Sequence, residues 1–340
     1  MSIAVSAIIP TYNRAHLIGD AVDSILGQTV GAAEVIVVDD GSTDDTEAIV
    51  ARYRNAIRYR RIENSGPGVA RNVGVSMARS PWIAFCDSDD VWLPTKQERQ
   101  LRLHALCPEV ECSFTDLTRV VSGEPRSLSL FGEVPPALWE KHRRAVDDTI
   151  WIYDTSFYDR CLSAVPMLPT TLLMSKRRFE QLGGFNPEFS RDLAEDFEFA
   201  LRIAGEPPVG FVAEPLAEFR RHAGSRSGNP FADWAAQAKV LEYALAHHAA
   251  ARPFLDAVRH ELQRRHTLAV GEAFFLGRLD IVRDVAPLVE RARRDWRTSL
   301  KIAIAELPLP LARLAQCALV TANRRMVRPI AGARDGDPMP

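Results

Sequence analysis

Residues 34–54 read EVIVVDDGSTDDTEAIVARYR: an unbroken Val/Ile run, then acids, glycine and serine, then apolar residues at helical spacing. A short β-branched run without polar alternation is a strand covered on both faces, and the helix after it provides one of those covers. The same order extends in both directions. SIAVSAIIP (2–10) predicts a strand, and AHLIGDAVDSILGQ (15–28) places Leu17, Ile18, Ala21, Val22, Ile25 and Leu26 at helical spacing. IRYRRIE (57–63) predicts a strand, GPGVARNVGVSMAR (66–79) a helix, and PWIAFCDSDD (81–90) a buried strand ending in acids. This alternation predicts an α/β fold: a mostly parallel, Rossmann-like sheet flanked by helices. In such sheets ligands bind beyond the carboxyl ends of the strands. Three polar clusters fall there, at Pro10-Thr11-Tyr12, Asp39-Asp40-Gly41-Ser42 and Asp87-Ser88-Asp89-Asp90, so they are expected to converge on one site.

Residues 111–165 are less regular and read as mixed strand and loop. PTTLLMSKRRFEQLGGF (169–185) reads as a strand and a short helix closed by Gly183-Gly184, and EDFEFALRIA (195–204) as an acid-led helix. After GSRSGNP (224–230) the pattern becomes helical and rich in Ala, Leu and Arg. The expected organisation is a sheet-bearing α/β domain over 1–228 and an all-α C-terminal region over 229–340, its last residues disordered.

Composition limits the class. The 340 residues carry a net charge of −2, which argues against a dedicated nucleic-acid binder. The balance hides a division: 16 basic and 10 acidic residues follow Ala251, a surplus of +6, which leaves −8 for the remainder. Five cysteines, odd in number and without CxxC spacing, suggest neither a disulfide framework nor a zinc site, and fit reduced thiols in a cytoplasmic location. The start, MSIAVSAIIPTYNR, lacks a basic n-region and reads as a strand rather than a signal peptide. The stretch 302–320 is broken by Glu306, Pro308, Pro310 and Arg313, so no transmembrane helix is expected.

Asp87-x-Asp89 can present oxygen ligands to a hard cation such as Mg²⁺ or Mn²⁺, though an acidic turn is the simpler reading of the tripeptide alone. Asp90 is expected to cap the following turn. Asp39 and Asp40 sit on a strand end where a carboxylate can accept a nucleobase N–H, while Ser42 to Asp45 read as a helix cap. Thr11 offers a hydroxyl and Tyr12 a stacking face. Gly66-Pro67-Gly68-Val69-Ala70-Arg71 is not a dinucleotide fingerprint, since Arg71 takes the last glycine position; it reads as a helix start carrying Arg71 towards a diphosphate, or as a plain helix N-terminus. Glu195 and Asp196 complement a helix dipole, or one of them deprotonates a hydroxyl. His222, among arginines, is a surface residue or a contact to metal or diphosphate, with Arg221 or Arg226 as further phosphate partners.

Taken together, AIIPTYNR (7–14), VIVVDDGSTDDT (35–46), NSGPGVARNVG (64–74), IAFCDSDDVWLP (83–94), GGFNPEF (183–189), AEDFEFALRI (194–203) and FRRHAGSRS (219–227) resemble the family 2 glycosyltransferases of GT-A fold. The resemblance covers roughly residues 3–228. It implies inverting transfer of a sugar from a nucleotide-sugar, usually a UDP-sugar, with Mn²⁺ or Mg²⁺ bound through the DxD. By the same resemblance Pro10, Thr11, Tyr12, Arg14, Asp39, Asp40, Arg71, Asp87 and Ser88 would hold the nucleotide-sugar. Asp89 and His222 would hold the metal, and Asp196 would be the catalytic base. The acceptor expected is a glycan or lipid-linked hydroxyl in bacterial surface polysaccharide assembly.

Two other classes are open to this sequence. A sugar nucleotidyltransferase calls for a glycine-rich basic loop after the first strand, where Thr11-Tyr12-Asn13-Arg14 stands. A non-catalytic scaffold acting through the helices would have no use for Asp40, Asp89 and Asp196. The helix PLARLAQCALVTANRRMVRPI (310–330) is expected to place Leu311, Leu314, Ala315, Ala318 and Leu319 on one face, with Arg324, Arg325 and Arg328 clustered after it. It reads as a packed terminal helix or as a basic amphipathic contact to the inner face of the cell membrane. Self-association through the helices is a further expectation.

Overall fold

A computed structural model describes residues 3–121, 123–127, 129, 131–133, 143–163, 166–191, 194–222 and 230–326. The sheet begins with four parallel strands: β1 (Val5–Thr11), β2 (Glu34–Asp39), β3 (Arg58–Arg61) and β4 (Trp82–Phe85).

 
They lie side by side in the order β3-β2-β1-β4, so their carboxyl ends share one edge. Every residue of β1 and nearly every residue of β2 is buried, as continuous apolar strands between two helical layers require. Helix α1 (Ile18–Leu26) buries Ile18, Ala21, Val22 and Ile25 against one face. Helix α2 (Thr46–Val50) follows β2, and α3 (Pro67–Met77) lies so close to β1 that a Cβ on Gly74 would stand 2.4 Å from Ile8 Cγ2.

Beyond β4 the sheet changes character. The chain passes through Asp87–Asp90 into β5 (Val91–Trp92), then α4 (Lys96–Leu106) and the long β6 (Cys112–Val121). The remaining strands are β7 (Glu124–Ser127), β8 (Arg143–Ala145), β9 (Ile150–Tyr153), β10 (Leu173–Ser175) and β11 (Val209–Arg221). The full order is β3-β2-β1-β4-β10-β6-β11-β9-β8, with β5 added to β11 and β7 to β6, eleven strands in one mixed sheet. β10 is antiparallel to both β4 and β6, whereas β6 and β11 are parallel. The irregular stretch 111–165 thus supplies β6 to β9, together with the short helix α5 (Tyr158–Cys161). Phe114, Phe131 and Phe211 stack there, with centroids 4.2–5.9 Å apart.

Helix α6 (Lys176–Gln181) is capped by the Ser175 hydroxyl, which accepts from Arg178 N, and is closed by Gly183 and Gly184 at φ 82° and 67°. Helix α7 (Glu195–Gly205) carries the acid-led segment. After it come α8 (Pro230–His247), α9 (Leu255–Phe275), α10 (Leu279–Val285), α11 (Trp296–Glu306) and α12 (Leu309–Met326). The chain forms two compact units, Met1–Asn229 with Lys239–Glu261, and Pro230–Ala238 with Leu262–Pro340. The described part of the second unit is helical, around a core that includes Val270, Phe274, Val282, Ile302 and Ala312. In α12, Ala315 and Leu319 pack on this core, while Leu311, Leu314 and Ala318 face outward, so the apolar residues of this helix divide between two sides.

One buried network fixes the exit from β4. Lys96, fully buried, donates to Gln100 Oε1 at 2.8 Å and lies 4.1 Å over the Trp92 ring. Trp92 Nε1 donates to Thr170 O, and Gln100 Nε2 to Thr171 O. Burial pulls the Lys96 ammonium down to about 7. The unfolded chain therefore binds the extra proton between that value and the ordinary lysine range, so wild-type stability rises with pH across this window. Replacing Lys96 by Met is expected to remove this contribution, whose slope reaches about 1.4 kcal/mol per pH unit. Chemical denaturation of both proteins from pH 7 to 10 measures the difference in slope.

Candidate active site

The first two strand ends are tied by hydrogen bonds between their loops. Asp40 N donates to Thr11 O at 2.8 Å, and Thr11 stands opposite Asp39 in the register. Asn13 adopts φ 52°, a left-handed conformation that asparagine tolerates, and its Oδ1 accepts from Thr43 N at 2.7 Å. Asn13 N donates to Ser42 Oγ, and Arg14 N to Thr46 Oγ1. Ser42 therefore ties two loops together instead of capping α2, whose first-turn amide at Thr46 is met by Asp44 Oδ1. Pro10 belongs to buried β1, and Tyr12 exposes 44% of its surface, leaving a ring face open to solvent beside the loop.

Asp39 and Asp40 are both buried, but they serve different partners. Asp39 accepts from Ser42 N at 2.7 Å and from the Tyr59 hydroxyl at 2.8 Å. Asp40 accepts from Ser65 N at 2.7 Å and Gly66 N at 2.8 Å. Burial raises the Asp40 carboxyl above its usual range despite these two amides. Gly66 has φ 91°, and a Cβ there would stand 2.1 Å from Ser190 O, so the turn into α3 has room only for glycine. Both carboxylates hold loops, with lone pairs left for a further donor.

Arg71, on the first turns of α3, is 3% exposed. Its Nη2 lies 2.6 Å from Asp87 Oδ1 and its Nη1 3.1 Å from Glu195 Oε1, with the Phe185 ring 5.0 Å from the guanidinium carbon. Burial opposes its charge, but the two carboxylates outweigh that and raise its proton affinity. Arg71 thus joins the end of β4 to the start of α7. Asp196, the next residue on α7, accepts from Phe197 N at 2.7 Å. Burial raises the Asp196 carboxyl above the ordinary value; Arg71 and the Phe197 amide act against this, and Asp87 adds to it. Helix α7 is further held by Glu198, whose buried carboxylate meets Arg202 and, at 3.1 Å, His248 Nε2.

Ser88 is buried between the two aspartates of the motif. Asp89 Oδ2 receives Arg14 Nε at 3.3 Å and lies 3.2 Å from His222 Nε2. Antiparallel pairing of β5 with β11, through Ala217 and Trp92, carries the end of β11 alongside this turn. Arg220 Nε donates to Asp89 O, and Arg220 N to Asp90 Oδ1. Asp90 accordingly ties its turn to β11 rather than capping the step into Val91, while its amide closes the turn on Asp87 O. One carboxylate oxygen and one imidazole nitrogen converge at Asp89 and His222. That pair suits a hard divalent cation whose other positions are filled by phosphate oxygens and water. Among the described residues no group of three or more His, Cys, Asp and Glu forms a complete protein cage.

The structure therefore brings Thr11, Asp39 and Asp40 together on one side, and Arg71, Asp87 and Glu195-Asp196 on the other. Arg14, Asp89 and His222 form a third group. Arg71 lies beneath this arrangement in two ion pairs, with its guanidinium almost fully covered. Arg226 lies outside the described residues. Sequence reading missed Asn13 and Arg220 as loop-positioning residues. The Thr-Tyr-Asn-Arg turn held a signal for Asn13 in its tolerance of positive φ; the role of Arg220 depends on strand pairing distant in sequence.

The family described as Glycosyl transferase family 2 matches residues 6–163. An uncharacterized glycosyltransferase of Rickettsia prowazekii is 42% identical over 223 residues, 64% of each chain. Succinoglycan biosynthesis protein ExoO of Rhizobium meliloti is 41% identical over 133 residues, 38% of this chain and 37% of its own. The chain thus spans less than two thirds of the length of these curated relatives. A crystal structure of S. aureus TarS 1-349 in complex with UDP-GlcNAc superposes with TM-score 0.62 at 18% identity, covering 95% of this chain and 92% of that one. At that identity the likeness is one of fold, and the fold shared is GT-A.

Arg71→Ala leaves two carboxylates without their buried partner. Loss of one member of a buried ion pair is expected to lower the unfolding free energy by about 3–5 kcal/mol, read by urea denaturation.

Proposed function

We propose, for a chain whose residues 6–163 match glycosyl transferase family 2, that it is an inverting glycosyltransferase passing a sugar from a nucleotide-sugar, in first place a UDP-sugar, to a hydroxyl of a glycan or lipid-linked acceptor. The observation that carries this reading is the Arg71 bridge, which sets Asp196 at the same strand edge as the Asp87–Asp89 turn. ExoO, named for succinoglycan biosynthesis, supports surface polysaccharide assembly as the setting, and the UDP-GlcNAc bound to TarS supports a uridine nucleotide.

In this reading the nucleoside rests against the Tyr12 face, with Thr11 and Asp40 within reach of its base and Asp39 fixing the loop beneath. Asp87 and Ser88 orient the sugar. Asp89 and His222 would hold Mn²⁺ or Mg²⁺, which supplies charge neutralisation for the diphosphate. Arg14, now on Asp89, is the cation that can turn towards the phosphates when they arrive. The acceptor oxygen attacks the anomeric carbon on the face opposite the diphosphate. As that bond forms, the bond from the anomeric carbon to the diphosphate oxygen breaks with its electron pair, and the hydroxyl proton passes to Asp196. A carboxyl raised by burial holds that proton better than an exposed aspartate does.

UDP release from a panel of UDP-sugars, with Mn²⁺ or Mg²⁺ supplied and then chelated, tests the reading. Asp196→Asn is expected to lower turnover by about 10²–10⁴-fold while nucleotide binding, followed by calorimetry, is retained. Near-normal turnover in that variant removes Asp196 from the role. Because the base works ionised and its affinity for the proton is raised, kcat/KM falls as pH drops through a value above the ordinary aspartate range. The acid limb of the pH–rate profile reports it.

A further inference from the structure

The sheet-bearing unit covers its apolar side chains well, and the helical unit does not. Nine of the thirteen exposed large apolar side chains among the described residues fall between Phe275 and Leu314. Along α11, Trp296, Leu300 and Ala303, then Leu307 just past its end, recur at four, three and four residues and are all exposed. That spacing places them on one side of the helix. On α12, Leu311, Leu314 and Ala318 repeat the pattern, with the buried Ala312 and Gln316 on the opposite side. Trp296 is 71% and Leu314 74% exposed, and apolar side chains gathered in exposed stripes mark an interaction surface.

The charge around these stripes has one dominant sign. Between Arg291 and Leu314 there are six basic and two acidic residues, and Arg291, Arg293, Arg297 and Arg313 are exposed. One of the two acids, Asp295, is used as the cap of α11, accepting from Thr298 N. Apolar stripes flanked by arginines, with a tryptophan at one end, match the boundary between anionic headgroups and acyl chains. A second copy of the same surface would set arginines against arginines, and a nucleic acid would leave the leucines uncovered. No helix among the described residues is long and apolar enough to cross a membrane.

We propose that α11 and α12 form a docking surface for an anionic lipid bilayer, lying in its interface through Trp296, Leu300, Leu307, Leu311 and Leu314. The surface lies within the helical unit, and the proposal is independent of the transfer reaction. Full-length protein is mixed with phosphatidylcholine vesicles, with and without phosphatidylglycerol, and separated by flotation. Binding is expected to the vesicles containing phosphatidylglycerol, weakening as salt is raised. The triple variant W296S/L311S/L314S is expected to lose at least about tenfold in partitioning, since exposed side chains are removed and each drives insertion. Its circular dichroism and thermal midpoint serve as the check on folding, and L314S alone provides a milder second variant. Equal flotation of wild type and folded variants overturns the proposal, as does failure of the wild type to bind anionic vesicles. A vesicle-free dimer that the triple variant converts to monomer, seen by light scattering, overturns it in favour of a second copy.

Discussion

Two short ion pairs from one buried guanidinium hold the proposed catalytic residues together. Arg71 sits on α3, between Asp87 at the end of β4 and Glu195 at the start of α7. These two acids are far apart in sequence, and each is followed closely by a residue that the proposed chemistry uses: Asp89 after the first, Asp196 after the second. A buried arginine is rarely a gain in stability by itself, since desolvation offsets much of the attraction. Its value is geometric. The planar fork fixes the two carboxylates in direction as well as distance, which a lysine could not do.

The sheet divides the work in a related way. Its parallel half presents four strand ends at one edge, where backbone amides and loop side chains can meet a ligand. The other half begins with antiparallel β10 and returns through β11, which delivers Arg220 and His222 back to the Asp87–Asp90 turn. The turn is therefore anchored from both sides, by β4 before it and by β5 paired to β11 after it. A loop held in this way keeps Asp89 Oδ2 and His222 Nε2 3.2 Å apart.

How much of this was legible in the sequence depended on whether the cause was local. The β-branched runs of β1, β2 and β4 announced themselves because burial on both faces leaves no room for polar alternation. The acid-led start of α7 was equally plain. Helix α4 was not, for KQERQLRLHAL has the composition of a solvated surface, yet Lys96, Gln97, Gln100 and His104 are buried. Their partners include Val30, Thr171 and Ser113, which the folded chain brings near. The same holds for Arg71: sequence placed it at a helix start, facing phosphate or plain, and the carboxylates that it bridges are contributed by other segments of the chain. The second apolar side of α12 was hidden because alternate leucines and alanines on a helix do not declare which of two sides will meet a core.

The clasp between the first two loops has a kinetic meaning. Asn13, Ser42, Thr43 and Thr46 bond to one another across the strand ends, so the shape of that edge is set when the chain folds. A molecule docking there has little backbone left to order, and the entropy of arranging the edge does not weigh on its affinity. Encounter should then proceed at similar speed for related nucleotides, and selection among them should lie in how long each one stays.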